Sequence, residues 1–306
     1  MPSLSPAQDA ATVAAELIAV IVAVTGGEPR VLTIEDGHAL PSGPFESNHR
    51  SLQASLRSWV ERQTHHPLGY VEQLYTFADR DRASGGGQRH VSISYLGLTR
   101  EMEVVAQPKA LWRNWYEFFP WEDHRRAERP VAEDLTPPLL TWAEGAPDML
   151  SRRERHRRIA INFGLSGERW NEDLILQRYE LLWEAGRVAE SGLNAESPGE
   201  AMAHDHRRIL ATGIARLRAK IKYRPVVFEL MPPDFTLLQL QRAVEALAGR
   251  PLHKQNFRRL IDQQDLVEET GGIATETGGR PAKLFRFRRE VVAERAVVGS
   301  KLPLAR

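Results

Sequence analysis

Five of the six residues from Lys254 to Arg259 (Lys254, Gln255, Asn256, Arg258 and Arg259) can donate hydrogen bonds to phosphate oxygens or base edges. Arginine or lysine pairs with guanine O6 and N7, and asparagine or glutamine pairs with adenine. The same groups bind phosphate equally well. Helical spacing puts Phe257, Leu260 and Ile261 on one face and turns Lys254, Gln255, Arg258, Arg259 and Asp262 to the other. A second basic set follows, Arg280, Lys283, Arg286, Arg288 and Arg289, with no acid before Glu290. The implied chemistry is recognition of a polyanion by a local patch. A solvated charged face has the same composition, so the surrounding elements must decide.

Those elements are ordered. Thr236 is placed to cap a polar helix running to Ala248, and Gly249-Arg-Pro251 is a tight turn. The basic helix spans His253 to Gln264, then come a short apolar run, a glycine-rich loop and Gly279-Arg-Pro-Ala-Lys-Leu-Phe-Arg-Phe287, with Gly278-Gly279 at the tip. Helix, turn, helix and hairpin is the order of a winged helix-turn-helix, whose second helix enters the major groove while the hairpin touches the flanking backbone. The expected DNA contacts are Thr236, Gln239, Lys254, Gln255, Asn256, Arg258, Arg259, Arg280 and Lys283. The same architecture also serves as a protein-interaction module.

At 306 residues with a formal charge of +1, the chain is long enough for more than one domain, and any nucleic-acid affinity must be local. It has no cysteine, which excludes disulfides and thiolate catalysis and fits a reducing compartment. The apolar run Leu17–Val24 is far shorter than a membrane span and reads as a buried strand, so a soluble, cytoplasmic protein is expected.

Residues 1–12 read as disordered. Strands are expected from Glu16 to Thr25 and from Arg30 to Ile34 around a turn at Gly26-Gly27, and again at Tyr70–Phe77 and His90–Leu98 beside a loop at 79–88. A loop carries Pro41, Gly43 and Pro44, and Ser51–Thr64 is amphipathic with Leu52, Leu56, Trp59 and Val60 at helical spacing. Residues 108–222 read as mainly helical, broken by Pro137-Pro138 and Gly145-Ala-Pro147, with helices at Trp170–Val188 and His204–Lys222. The latter is basic, and Pro225 puts a domain boundary near Tyr223. The aromatic group Trp112, Trp115, Tyr116, Phe118, Phe119 and Trp121 suits a core or an interface, or stacking on an adenine. His204 and His206 stand two apart, a spacing that points ligands away from each other on a helix.

Several phrases resemble a known family. Tyr70-Val-Glu-Gln-Leu-Tyr-Thr-Phe77, Lys222-Tyr-Arg-Pro-Val-Val-Phe-Glu-Leu230, Asn256-Phe-Arg-Arg259 and the 279–287 segment are similar to Nudix-related regulators of NAD metabolism, the NrtR and NadQ type. Trp115-Tyr-Glu-Phe-Phe-Pro-Trp121 and Arg178-Tyr-Glu-Leu-Leu-Trp-Glu-Ala-Gly186 look like the alphaproteobacterial NadQ branch. The resemblance implies an α+β chain: a Nudix-like α/β/α sandwich with added helices at 13–222, a winged helix at 223–290 and a tail at 291–306. It implies a repressor of NAD biosynthesis or salvage genes that acts as a homodimer on a palindromic operator in double-stranded DNA. It also implies an adenine-nucleotide effector (ADP-ribose, NAD or ATP) and no catalytic cofactor or metal. Arg57, Arg62, Tyr75 and Phe45 are the candidate effector contacts. An active Nudix enzyme clusters glutamates on one helix to hold Mg²⁺. Here the corresponding positions read Ser58, Trp59, Arg62 and Gln63, with Glu61 alone acidic and His49 or Arg50 where an earlier glutamate belongs. Hydrolysis is therefore expected to be lost. The rival is an ADP-ribose or NADH pyrophosphatase with an altered metal site, whose Mg²⁺-dependent turnover would vanish on Glu61→Gln.

Overall fold

The early apolar run becomes the spine of a mixed sheet. Strand β1 (Val13–Thr25) pairs antiparallel through its second half with β2 (Glu28–Thr33), from Val22↔Val31 to Thr25↔Glu28. Its first half pairs with the short β3 (Ser42–Pro44), and its other edge lies parallel to β5 (Arg89–Leu98). Strand β4 (Tyr70–Phe77) covers β5, and β6 (Leu111–Asn114) covers β2, so the order is β4-β5-β1-β2-β6 with β3 off that path. The protein is a computed structural model describing residues 13–45, 50–78, 89–101, 110–125, 131–193, 198–274, 281–288 and 290. The segments expected at 1–12, 79–88 and 291–306, the hairpin tip with Arg280, His49 and Arg289 all lie outside the described residues.

An unbroken apolar strand is what a sheet covered on both faces requires. Leu17, Ala19 and Ile21 pack on one side with Leu56 and Val60 of α1 (Leu52–Thr64), which Ser51 caps by accepting from the Ala54 N–H at 3.2 Å. Ile18, Val20 and Val22 belong to the larger core on the other side. There a helical layer is built from α3 (Val131–Glu144), α4 (Met149–Phe163), α5 (Ile175–Glu184) and α6 (His206–Ile221), reached from β6 through the single turn α2 (Trp115–Phe118).

Three expectations are corrected. Residues 42–44 are a strand rather than a loop, because Leu17 and Ile18 of β1 offer backbone groups to Gly43 and Ser42. Leu111–Asn114 is an edge strand inside the segment expected to be helical. Pro137 and Pro138 do not break a helix: α3 runs through both, since Leu135, Leu139 and Ala143 hold its apolar stripe in the core.

Helix α1 is tied to β3 by the Trp59 indole donating to Pro44 O at 3.0 Å and by Gln63 donating to Ser42 O at 2.8 Å. A Cβ on Gly43 would overlap the Trp59 ring. Gly43→Ala is therefore expected to cost about 1–3 kcal/mol, as overpacking does. Urea denaturation measures it, and an unchanged midpoint would mean that α1 can lift from β3 at no cost.

Candidate nucleic-acid interface

Helix α7 (Leu237–Ala248) begins with a capping box. The Thr236 hydroxyl accepts from the Gln239 N–H at 3.2 Å, and the Gln239 side chain accepts from the Thr236 N–H at 2.7 Å. Thr236 is 3% exposed, so its side chain starts the helix rather than reaching outward. Gly249 ends α7 at φ 72°, and α8 (Lys254–Gln264) follows. Phe257 and Ile261 are buried beneath α8 and Leu260 is half-buried, so the amphipathic division read from spacing holds. Lys254, Gln255, Asn256, Arg258 and Arg259 are exposed, and their side chains make no hydrogen bond or ion pair among the described residues. His253 provides no side-chain cap, so the first-turn N–H groups of α8 add to this donor surface.

The hairpin consists of β7 (Val267–Ala274) and β8 (Ala282–Phe287), and a bridge between Phe235 and Phe285 joins it to the start of α7. The Phe287 ring stacks on Phe228 at 4.2 Å between centroids. Part of the positive charge expected on this hairpin is paired. Lys283 pairs with Glu269 at 2.8 Å, Arg286 with Glu268 at 2.5 Å, and Arg288 with Asp265. The acids come from β7 and the turn before it, across the ladder. Such exposed pairs are worth about 0–1 kcal/mol, so Lys283 can exchange its partner for a phosphate.

On the N-terminal domain the four candidate effector contacts are divided among different elements. Arg57 donates to the carbonyls of Leu68 and Gly69, tying α1 to the loop before β4. Arg62 lies over the Trp59 ring at 4.0 Å. Tyr75 is 61% exposed with its ring edge-on to Phe77, which packs in the core on the opposite face of the sheet from α1. Phe45 is 40% exposed just after β3. Most of the aromatic group resolves as core: Trp115, Phe118, Phe119 and Trp121 are fully buried and Tyr116 nearly so, while Trp112 on β6 is half-buried and edge-on to His66 at 5.6 Å. His204 precedes α6 with φ 52°, while His206 Nδ1 accepts from the Leu40 N–H at 3.0 Å, so His206 anchors the loop at Leu40.

Sequence reading missed a buried charge cluster beside α7. Glu122 accepts from Arg178 at 2.5 and 2.9 Å and from Arg218 at 2.6 Å, and all three side chains have no exposed surface. Arg207, also fully buried, donates to Phe118 O and pairs with Glu190 at 3.1 Å. A signal was available. Arg207, Ala211, Ile214, Arg218 and Ile221 recur at steps of four and three, so two of the arginines in the "basic" helix lie on its apolar stripe.

Comparisons with known proteins agree with this geometry. The family model of the NrtR DNA-binding winged helix domain matches residues 227–287. An ADPR-responsive transcriptional repressor, NtrR, from Acinetobacter baylyi is 42% identical over 86 residues, which are 28% of this chain and only 34% of that protein's length. Shewanella oneidensis NrtR, solved in complex with a 27mer DNA, superposes over 91% of this chain and 95% of its own, with TM-score 0.55 and 19% identity. A MutT/nudix family protein from Enterococcus faecalis covers 94% of this chain and 89% of its own, with TM-score 0.53 and 16% identity. The chain thus shares the two-part fold of these solved proteins, with residues 227–287 matching the NrtR-type winged helix.

Proposed function

We propose that this chain is a transcriptional regulator of the NrtR type, a repressor whose affinity for DNA is set by a nucleotide. The carrying observation is α8: one face is locked into the core, and the other presents exposed lysine, arginine, asparagine and glutamine side chains that make no hydrogen bond or ion pair among the described residues. That is the arrangement a helix needs to read a major groove. We place the boundary between the units near Tyr223, after α6 ends and before the turn Val226–Leu230. The N-terminal unit is the sensor. Its helix α1 carries Glu61 as its only carboxylate, too few oxygen ligands to hold Mg²⁺ against a pyrophosphate, so a regulator is favoured over a hydrolase. Among adenine nucleotides ADP-ribose is the first choice of effector, since the Acinetobacter repressor responds to it. A homodimer would match a palindromic operator in genes of NAD biosynthesis, and the segments at 115–121 and 178–186 favour the NadQ branch.

The test is an anisotropy titration against the promoters of NAD biosynthesis genes and the chain's own upstream DNA, at moderate salt, with and without ADP-ribose, NAD and ATP. Specific binding changed by one nucleotide is the expected result. By linkage, operator DNA must then change that nucleotide's affinity by the same factor. No specific binding in any condition would overturn the reading.

A further inference from the structure

The C-terminal end of α7 is held by the N-terminal domain. The Tyr116 hydroxyl donates to Ala246 O at 2.7 Å, Arg218 Nε donates to Leu247 O at 2.9 Å, and the His124 N–H donates to Gly249 O at 2.7 Å. These carbonyls are the groups a helix end leaves without intrahelical partners, and here another domain satisfies them. Gly249 takes part as well: with φ 72°, a Cβ there would overlap the Glu122 carbonyl.

The charge balance favours this contact. Two guanidinium groups, Arg178 and Arg218, face one carboxylate, Glu122, in the interior. The remaining positive charge lies against carbonyls. Arg178 donates to Asn162 O at 2.9 Å in the last turn of α4, and Arg218 donates to Leu247 O in the last turn of α7. Helix C-termini carry partial negative charge, so the end of α7 is a member of the cluster and not merely a neighbour. The turn beyond is fixed in its own right, since Glu245 accepts from the Leu252 N–H at 2.8 Å and Gln241 donates to Leu252 O at 3.1 Å.

We propose that Tyr116, Glu122 and Arg218 are positioning residues that hold the helix-turn-helix in one orientation on the N-terminal domain, and through it aim the exposed face of α8. The consequence for DNA rests on the regulator reading above, whereas the clamp itself does not. A nucleotide could redirect α8 only by moving this cluster or the segments that carry it.

The test uses the full chain, whose lack of cysteine permits site-specific labels. Gln53→Cys on α1 and Gln263→Cys on α8 are both exposed, and spin labels there report the distance between the domains, with excess unlabelled chain present to suppress contacts between copies. In the parent the distribution is expected to be narrow. Tyr116→Phe keeps the ring and removes one donor, and Glu122→Gln removes the charge; both should broaden or shift the distance. Amide exchange at residues 246–253 should accelerate about fivefold to tenfold in Tyr116→Phe, the loss of one buried hydrogen bond, while the β1–β5 ladder is unchanged. An unaltered distance distribution in Tyr116→Phe, or equal acceleration in both regions, would overturn the clamp. Neither measurement needs DNA, so failure to find an operator would leave this result standing.

Discussion

A Glu122→Gln variant is expected to lose about 3–5 kcal/mol of stability at pH 7, the cost of leaving a buried charge uncompensated. The size follows from the surroundings. Arg178 and Arg218 have no exposed surface, so neither guanidinium can turn to water when the carboxylate goes. Glutamine keeps an acceptor but presents its own N–H₂ to two cationic donors. Since an ordinary domain has only about 5–15 kcal/mol in hand, the variant would sit near the threshold of folding. The effect has a pH signature. Burial alone would raise the Glu122 carboxyl, but Arg178 and Arg218 outweigh it and hold the group below the usual carboxylate range. A folded-state pKa lower than the unfolded one gives stability that is present above the unfolded value, about 4.3, and lost as pH falls through the folded value. The gap between parent and variant should therefore be full near neutrality and close in acid, below the ordinary carboxylate pKa. Urea denaturation of both chains at neutral and acid pH measures this. A gap under about 1 kcal/mol at pH 7 would mean that water reaches the guanidinium groups.

The same cluster marks where the sequence stops being legible. Long apolar or periodic segments are plain in it: β1, β4, β5, α1, α7 and α8 follow from run length, period and caps. Strands β3 and β6 are too short for periodicity and exist because a neighbour offers an unpaired edge, a fact of pairing rather than of local sequence. Proline in α3 misleads for the opposite reason, since burial of Leu135 and Leu139 outweighs a local preference. Charge is hardest to place. Arg218 looks like surface because its type usually is, and only its phase with Ile214 and Ile221 reveals that it is buried. Glu122, in a short turn after Trp121, has no phase at all. On the hairpin, counting cations along one strand overlooked Glu268 and Glu269, which only the ladder register brings opposite. The exposed polar face of α8 was legible because helix phase alone determines it, whereas a pocket cannot be read this way, because it must be assembled from distant segments.

Replacing Arg258 and Arg259 together with alanine is expected to weaken operator binding by about 10²–10³-fold, since one good base or phosphate contact is worth about 1–3 kcal/mol. Both side chains are exposed on α8, so the change in folding stability should stay within about 0.5 kcal/mol. Nucleotide binding should be unaffected, and a joint loss of both activities would signal misfolding instead. The single variants carry more information than the pair. Arg258 stands on the stripe of Lys254 and Asp262, four residues to either side, whereas Arg259 stands with Gln255 on a neighbouring stripe. A helix lying in a groove turns one such stripe toward base edges and another toward a backbone wall. Removal of a phosphate contact lowers the slope of log affinity against log salt by about one per contact and weakens all sequences alike. Removal of a base contact leaves the slope and the nonspecific affinity intact while erasing preference at one operator position. If both single variants leave specific affinity within twofold, α8 does not enter the groove, and the winged helix must be assigned to protein contact instead.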